Sequence, residues 1–293
     1  MSKHQITGCG TAMVTPFSYG KVDYDAYAQL VRRQAEAGIH FLVITATTSE
    51  SPCLASDEKL RILEVTRENA PGVHIMAGVG TNSYIHTVEN MRLLDAADSF
   101  LIVAPYYNNP TQKGMISYFQ ALAQETDKPV MLYNVPSRTG ANLTPDTVLQ
   151  LADTPNIVGI KEASGNLQQM RDILANAPED FSVISGNDDL TLQMMLEGGK
   201  GVISVASNVV PRMMTTMVES ASANDYTTAC RIFKTLLPLF HACFVESNPI
   251  PVKEALAQMS LIHNELRLPL VTASESTSKI IAKAISRIKE DTV

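Results

Sequence analysis

Lys161 stands in one of the most apolar stretches of the chain, Asn156-Ile-Val-Gly-Ile-Lys-Glu-Ala-Ser-Gly165. The run is short, bounded by Pro155 and Gly165, and rich in β-branched residues, so it reads as a buried strand. An ammonium buried without a partner costs several kcal/mol, and the usual escape is to give up the proton. A neutral amine in a dry pocket is a nucleophile suited to forming a Schiff base with a carbonyl. The competing reading is a strand-end lysine whose head reaches solvent.

The segment one repeat unit earlier, Pro129-Val-Met-Leu-Tyr-Asn-Val-Pro-Ser-Arg-Thr-Gly140, favours the chemical reading. Tyr133 and Lys161 are 28 residues apart, about one strand–helix unit, which places them at similar heights on adjacent strands. A tyrosine beside a desolvated lysine can shuttle protons during imine formation. Arg138 follows in the next loop, placed to grip a carboxylate with two prongs. Alone, Tyr133 would read as a core tyrosine and Arg138 as a solvated loop charge. Two more loops offer polar groups. Thr45-Ala-Thr-Thr-Ser-Glu50 brings hydroxyls and amides that can hold a carboxylate or pass a proton, and Ala104-Pro-Tyr-Tyr-Asn-Asn-Pro110 brings adjacent tyrosines.

These residues need a scaffold, and the chain supplies a regular one. Strand-like runs at 10–17, 41–45, 74–80, 99–105, 130–135, 157–163, 181–186 and 201–207 alternate with helical patterns at 24–37, 56–69, 83–96, 114–126, 145–152, 167–177 and 189–197. Ser56-Asp-Glu and Thr144-Pro-Asp put a polar residue ahead of an acidic first turn, as helix starts do. Near-continuous apolar strands imply a parallel sheet covered on both faces. Eight such units in series predict a (β/α)8 TIM barrel over residues 1–223, with active-site groups at the carboxyl ends of its strands. Residues 224–293 read as three helices, 225–243, 251–262 and 274–289, forming an appended C-terminal bundle packed on the barrel. Gly78-Val-Gly80-Thr-Asn-Ser83 lacks the third glycine of a dinucleotide fingerprint, which disfavours a Rossmann sheet.

Composition narrows the field. The 293 residues are 45% hydrophobic and 18% charged, an ordinary globular balance with material for a large core. A net charge of −7 without dense Lys/Arg runs argues against nucleic acid, while leaving room for a locally positive site. Met1-Ser-Lys-His-Gln-Ile lacks a signal-peptide core and no segment approaches a membrane span, so a cytoplasmic location is expected. Cys9, Cys53, Cys230 and Cys243 are scattered and read as reduced thiols. The six histidines show no H-x-x-x-H spacing, and no metal is expected.

Taken together, the motifs resemble the dihydrodipicolinate synthase / N-acetylneuraminate lyase family of class I aldolases over essentially the whole chain. The resemblance implies that Lys161, in Gly-Ile-Lys-Glu-Ala, is the Schiff-base lysine and that Tyr133, in Tyr-Asn-Val-Pro, transfers protons. It implies a relay role for Thr47, pyruvate-carboxylate binding by Thr48, and a relay tyrosine at Tyr107 supplied across a subunit boundary. Gly186 and Ile203 fall where family members line the pyruvate site. Tyr-Asn-Val-Pro-Ser-Arg-Thr-Gly and Asn248-Pro-Ile-Pro-Val-Lys253 are similar to the synthase branch, in which the arginine holds the carboxylate of L-aspartate 4-semialdehyde; Lys253 reads as structural. The implied reaction is condensation of that aldehyde with pyruvate to 4-hydroxy-tetrahydrodipicolinate, with a covalent imine on Lys161 and no cofactor. The implied assembly is a homotetramer built as a dimer of dimers.

Two departures stand out. The family's loop reads Gly-Thr-Thr-Gly-Glu, and here Ala46 and Ser49 replace both glycines, which narrows backbone freedom and would crowd the carboxylate pocket. Many synthases of the family bind L-lysine as a feedback inhibitor. Ser51, Asn82 and Tyr106 match that surface, but Ser56, Lys59 and His86 replace its histidine-bearing and acidic positions, so weak or absent inhibition is expected. The rival readings are a pyruvate lyase acting on a sugar acid, which Arg138 argues against, a catalytically silent sensing barrel, and a metal-dependent aldolase.

Overall fold

In a computed structural model that describes residues 5–291, eight parallel strands close into a barrel. Met1–His4, on which the signal-peptide expectation partly falls, and the last two residues of the C-terminal segment lie outside the described residues. In chain order the barrel strands are β1 (Gly8–Ala12), β4 (Phe41–Ile44), β5 (His74–Gly78), β6 (Ser99–Val103), β7 (Val130–Asn134), β8 (Ile157–Glu162), β9 (Ser182–Ser185) and β10 (Gly201–Ser204). Each pairs with its neighbours, and β1 closes the circle by pairing with both β4 and β10. The (β/α)8 expectation holds.

Helices α1 (Tyr24–Glu36), α2 (Ser56–Asn69), α3 (Tyr84–Leu93), α4 (Gln112–Ala123), α6 (Pro145–Ala152), α7 (Leu167–Asn176), α8 (Thr191–Leu196) and α9 (Pro211–Ser222) alternate with these strands, and α5 (Pro136–Thr139) is a single extra turn after β7. Beyond them come α10 (Tyr226–Ala242), α11 (Ile250–Gln258) and α12 (Glu275–Asp291). α10 packs on α9 and α12, and α11 packs on α12. Among the described residues, no helix is long and apolar enough to cross a membrane.

Two local readings needed correction. The first strand ends at Ala12, not Phe17: the chain then turns out of the barrel into a small hairpin of β2 (Phe17–Ser18) and β3 (Lys21–Val22). Tyr19 and Gly20, both left-handed at φ 52° and 77°, make that turn. Ser56 is the first residue of α2 rather than its cap. Ala55 holds the cap position, and Glu58 reaches back to accept from the Ala55 amide at 2.9 Å. Thr144 does cap α6, accepting from the Thr147 amide.

The core has two layers. An outer one lies between strands and helices and runs on into α10–α12 through Leu236, Phe240, Leu256 and Ile281. A smaller one fills the barrel interior with Phe41, Val43, Met76, Leu101, Met131, Tyr133, Val158, Ile184 and Ile203. Strand residues alternate between the layers, so Met131 and Tyr133 point in while Val130 and Leu132 point out. β8 breaks this rhythm once. Val130 pairs with Ile157, but Met131 pairs with Gly159, leaving Val158 as an extra residue. The bulge resets the phase of everything after it and sets Lys161 opposite Tyr133.

Candidate active site

A cavity of about 390 Å³ opens beside the carboxyl ends of β4–β7. Thr45, Ala46, Thr47, Tyr133, Arg138 and Asn248 line it, with Leu101, Val103 and Val135 as its apolar wall. Lys161 is 5% exposed, with its Nζ 4.3 Å from the centroid of the Tyr133 ring, itself 6% exposed. Among the described residues no carboxylate pairs with the Lys161 amine, so the face of the ring is the polar neighbour that the geometry offers it.

Gly186 makes room for this lysine. A Cβ there would come 2.4 Å from the Ala163 Cβ and 3.1 Å from the Lys161 Cε, so any larger residue would push the lysine stem aside. Ile203 is fully buried in the interior layer that also holds Tyr133. Thr47 begins a short 3-10 turn, Thr47–Ser49, and is half-buried on the cavity wall, whereas Thr48 is buried and accepts from the Asn248 side-chain amide at 2.9 Å. Arg138 rides on α5 and donates to the Asn248 backbone carbonyl at 3.0 Å.

Asn248 is the residue that sequence reasoning passed over. It touches Thr48 with its side chain and Arg138 with its backbone, and its Oδ1 is buried without a hydrogen-bond partner. It lies 200 residues from Thr48, and although the synthase-like Asn248-Pro-Ile-Pro-Val-Lys253 motif begins with it, nothing local marks Asn248 as a partner of Thr48 and Arg138.

The Thr-Thr loop shows where its strain resides. Ala46 is extended, at φ −100° and ψ −163°, a conformation any residue adopts. The left-handed positions are Thr45 at φ 51° and Glu50 at φ 55°, the first costly for a β-branched side chain. The alanine and serine that replace the family's glycines therefore carry no backbone penalty. The Ala46 methyl packs toward Gly78, where an added Cβ would come within 3.0 Å of it, and Ser49 donates to the Met13 carbonyl at 2.7 Å. Crowding is confined to the Ala46 methyl on the cavity wall.

Glu50 anchors the loop. Its carboxylate is buried and accepts from Lys253 Nζ at 2.8 Å and from the Arg267 amide at 3.0 Å. Burial pushes the Lys253 ammonium below its ordinary value, and the Glu50 charge opposes that fall. The structural role expected of Lys253 fits these contacts.

Tyr107 stands apart from the other candidates. It is left-handed at φ 72°, 92% exposed, and outside the cavity of its own chain, whereas Tyr106 lines the rim. Ser51 and Lys59 line the same rim, while Asn82 turns away to hydrogen-bond Asn108. Lys59 is half-buried, and burial lowers its ammonium below the ordinary lysine value. Among the described residues, no group of three His, Cys, Asp or Glu side chains is arranged to hold a metal.

A closed parallel barrel with a buried, carboxylate-free lysine beside a tyrosine at the strand ends has the layout of the lysine-dependent aldolase barrels. The chain belongs to the dihydrodipicolinate synthetase family, whose model matches residues 5–288. It is 43% identical over 286 residues to 4-hydroxy-tetrahydrodipicolinate synthase of Thermosipho melanesiensis, covering 97% of this chain and 99% of that one. It is 47% identical over 272 residues to the enzyme of the same name from Koribacter versatilis, covering 91% of each chain. A crystal structure of dihydrodipicolinate synthase from Thermotoga maritima superposes with a TM-score of 0.96 at 41% identity, covering 98% of this chain and 99% of that one.

Proposed function

We propose that the protein condenses pyruvate with L-aspartate 4-semialdehyde to 4-hydroxy-tetrahydrodipicolinate, a step toward diaminopimelate and lysine. The amine of Lys161 adds to C2 of pyruvate, and loss of water leaves an imine, which draws electrons from C3. Loss of a C3 proton gives the enamine, whose carbon attacks the aldehyde to form the new C–C bond and an alcohol. The amino group of the semialdehyde then displaces Lys161 from C2 and closes the ring, so one water leaves overall. Tyr133 and Thr47 move protons at the imine nitrogen. Thr48, Gly186 and Ile203 shape the pyruvate side, and Arg138 holds the semialdehyde carboxylate. The covalent imine takes the place of a cofactor.

The observation that carries this reading is the pairing of Lys161 with Tyr133 in register on adjacent strands, with the amine over the ring. The full-length likeness to synthases of that name supports the choice of substrates. The test is borohydride reduction in the presence of pyruvate, mapped by mass spectrometry, beside an assay with pyruvate and the semialdehyde. A reduced adduct on Lys161 and turnover are expected. An adduct on another lysine, or turnover only with a sugar acid, would overturn the reading.

The reading extends to a cytoplasmic homotetramer, a dimer of dimers in which Tyr107 completes the relay of a neighbouring subunit. The exposure of Tyr107 outside its own cavity supports this. Sedimentation that finds only monomer at full activity would remove it.

A further inference from the structure

Glu162 directly follows Lys161 and is completely buried, yet among the described residues no lysine, arginine or histidine pairs with it. Donors hold the carboxylate instead. Its Oε2 accepts from Asn134 Nδ2 at 2.9 Å and from Gln169 Nε2 at 3.1 Å, and its Oε1 accepts from the Ser164 amide at 2.6 Å. The Glu162 backbone carbonyl accepts from the Gly186 amide at 2.7 Å. Asn134 directly follows Tyr133, pairs with Glu162 in register, and accepts from the Leu143 amide at 3.0 Å. One residue thus ties together the neighbours of Tyr133, Lys161 and Gly186.

The bulge in β8 gives this network a purpose. Had the pairing of Val130 with Ile157 continued without the extra Val158, Tyr133 would face Ile160, and Asn134 would face Lys161. A one-residue slip in a strand sends every side chain to the opposite face. The slipped register would set the Lys161 ammonium opposite Asn134 and pull the Glu162 carboxylate away from that strand, out of the nest that the Asn134, Gln169 and Ser164 donors form around it. That nest suits a group that accepts at every position, as the two Glu162 carboxylate oxygens do.

We propose that Glu162 is a positioning residue for the imine chemistry: its buried carboxylate locks β8 in the phase that aims Lys161 at Tyr133. The proposal rests on Lys161 as the imine-forming lysine. Glu162→Gln keeps the size of the side chain but turns an amide donor toward a nest of donors. Asn134→Asp combined with Glu162→Gln moves the carboxylate to β7 and lets the glutamine donate to it, so the two positions are complementary again.

The experiment measures, for parent and variants, the single-turnover rate of pyruvate adduct formation on Lys161 under borohydride, together with kcat, KM for pyruvate and thermal stability. A displacement of about 1 Å can cost up to roughly a hundredfold in rate, so Glu162→Gln is expected to slow trapping and kcat by at least about tenfold in folded protein, with KM for pyruvate little changed. The double variant is expected to recover several-fold over Glu162→Gln. A folded Glu162→Gln that traps pyruvate at the parent rate, or that changes KM alone, overturns the proposal. If Glu162→Gln does not fold, Gln169→Met decides, because it removes one donor to the carboxylate and leaves both strands intact. A slower trapping rate in folded Gln169→Met supports the lock, and an unchanged rate overturns it. Failure of the parent itself to trap pyruvate would sink the imine reading and this proposal with it.

Discussion

Among the described residues two lysines are buried, Lys161 and Lys253, and their surroundings differ in a way that bears on which can do chemistry and which holds the architecture. Lys253 Nζ donates at 2.8 Å to both the Glu50 carboxylate and the Thr15 carbonyl, and it lies 4.2 Å from the centroid of the Phe17 ring. Lys161 Nζ lies over an aromatic face, Tyr133, at nearly the same distance of 4.3 Å, and among the described residues no carboxylate pairs with it. Both lie in apolar surroundings and both stack on a ring, so neither burial nor the cation–π contact distinguishes them. The carboxylate does. A lysine bonded to a buried carboxylate serves as a strut; one without a counterion is left available for the nucleophilic role proposed for Lys161.

The sharpest test of this contrast is to remove each lysine in turn. Lys161→Ala should abolish pyruvate-dependent borohydride labelling, a loss of all measurable turnover, while melting close to the parent because no carboxylate is orphaned. Labelling that persists on another lysine would break the contrast. Lys253→Met should do the reverse. Breaking a buried pair by removing one partner costs about 3–5 kcal/mol, and urea unfolding should show that loss while the folded molecules still label Lys161. A folded Lys253→Met that melts like the parent and cannot be labelled would exchange the two roles.

Arg138 carries the comparison from the pyruvate step to the semialdehyde step. Arg138→Ala should weaken use of the semialdehyde by roughly tenfold to a hundredfold, the value of a charge-assisted fork of about 1.5–3 kcal/mol, with little effect on pyruvate trapping. Because Arg138 also donates to the Asn248 carbonyl, equal damage to both steps would assign it to holding that loop instead. The smallest effect is expected at the rim. With Lys59 on the cavity rim, an incoming lysine ammonium meets like charge, and like-charge contact costs enough to erase micromolar binding. L-lysine should therefore not inhibit with a midpoint below about 1 mM, the weak end of the affinity scale, in a steady-state titration. A submillimolar midpoint would show that other groups neutralise Lys59.

Much of this was legible in the residues. Short β-branched runs alternating with amphipathic stretches pointed to a covered parallel sheet, and eight of them favoured a closed barrel over a doubly wound sheet, which is the architecture the strands form. The spacing of Tyr133 and Lys161 put them at one height, and they are register partners. Helix starts were legible where proline or a hydroxyl marked them, as at Thr144-Pro145. They were misplaced by one residue at Ser56, where the capping contact runs backward from Glu58. The cost expected from Ala46 and Ser49 was misplaced too, because the left-handed residues of that loop are their neighbours Thr45 and Glu50.

The barrel, the height of the lysine and the tyrosine in it, and the loop that carries Arg138 could be read along the chain, because they follow from hydrophobic period and local chemistry. Only the tertiary structure decided which way the lysine points. That depends on the single extra residue Val158 in β8, whose pairing is set by strands on either side and not by its own neighbours. Tertiary structure alone also brought Asn248 to Thr48 and Lys253 to Glu50, contacts spanning 200 and 203 residues. Such contacts leave no period in the chain, since they arise where separately folded segments meet and each buried polar group must find a partner.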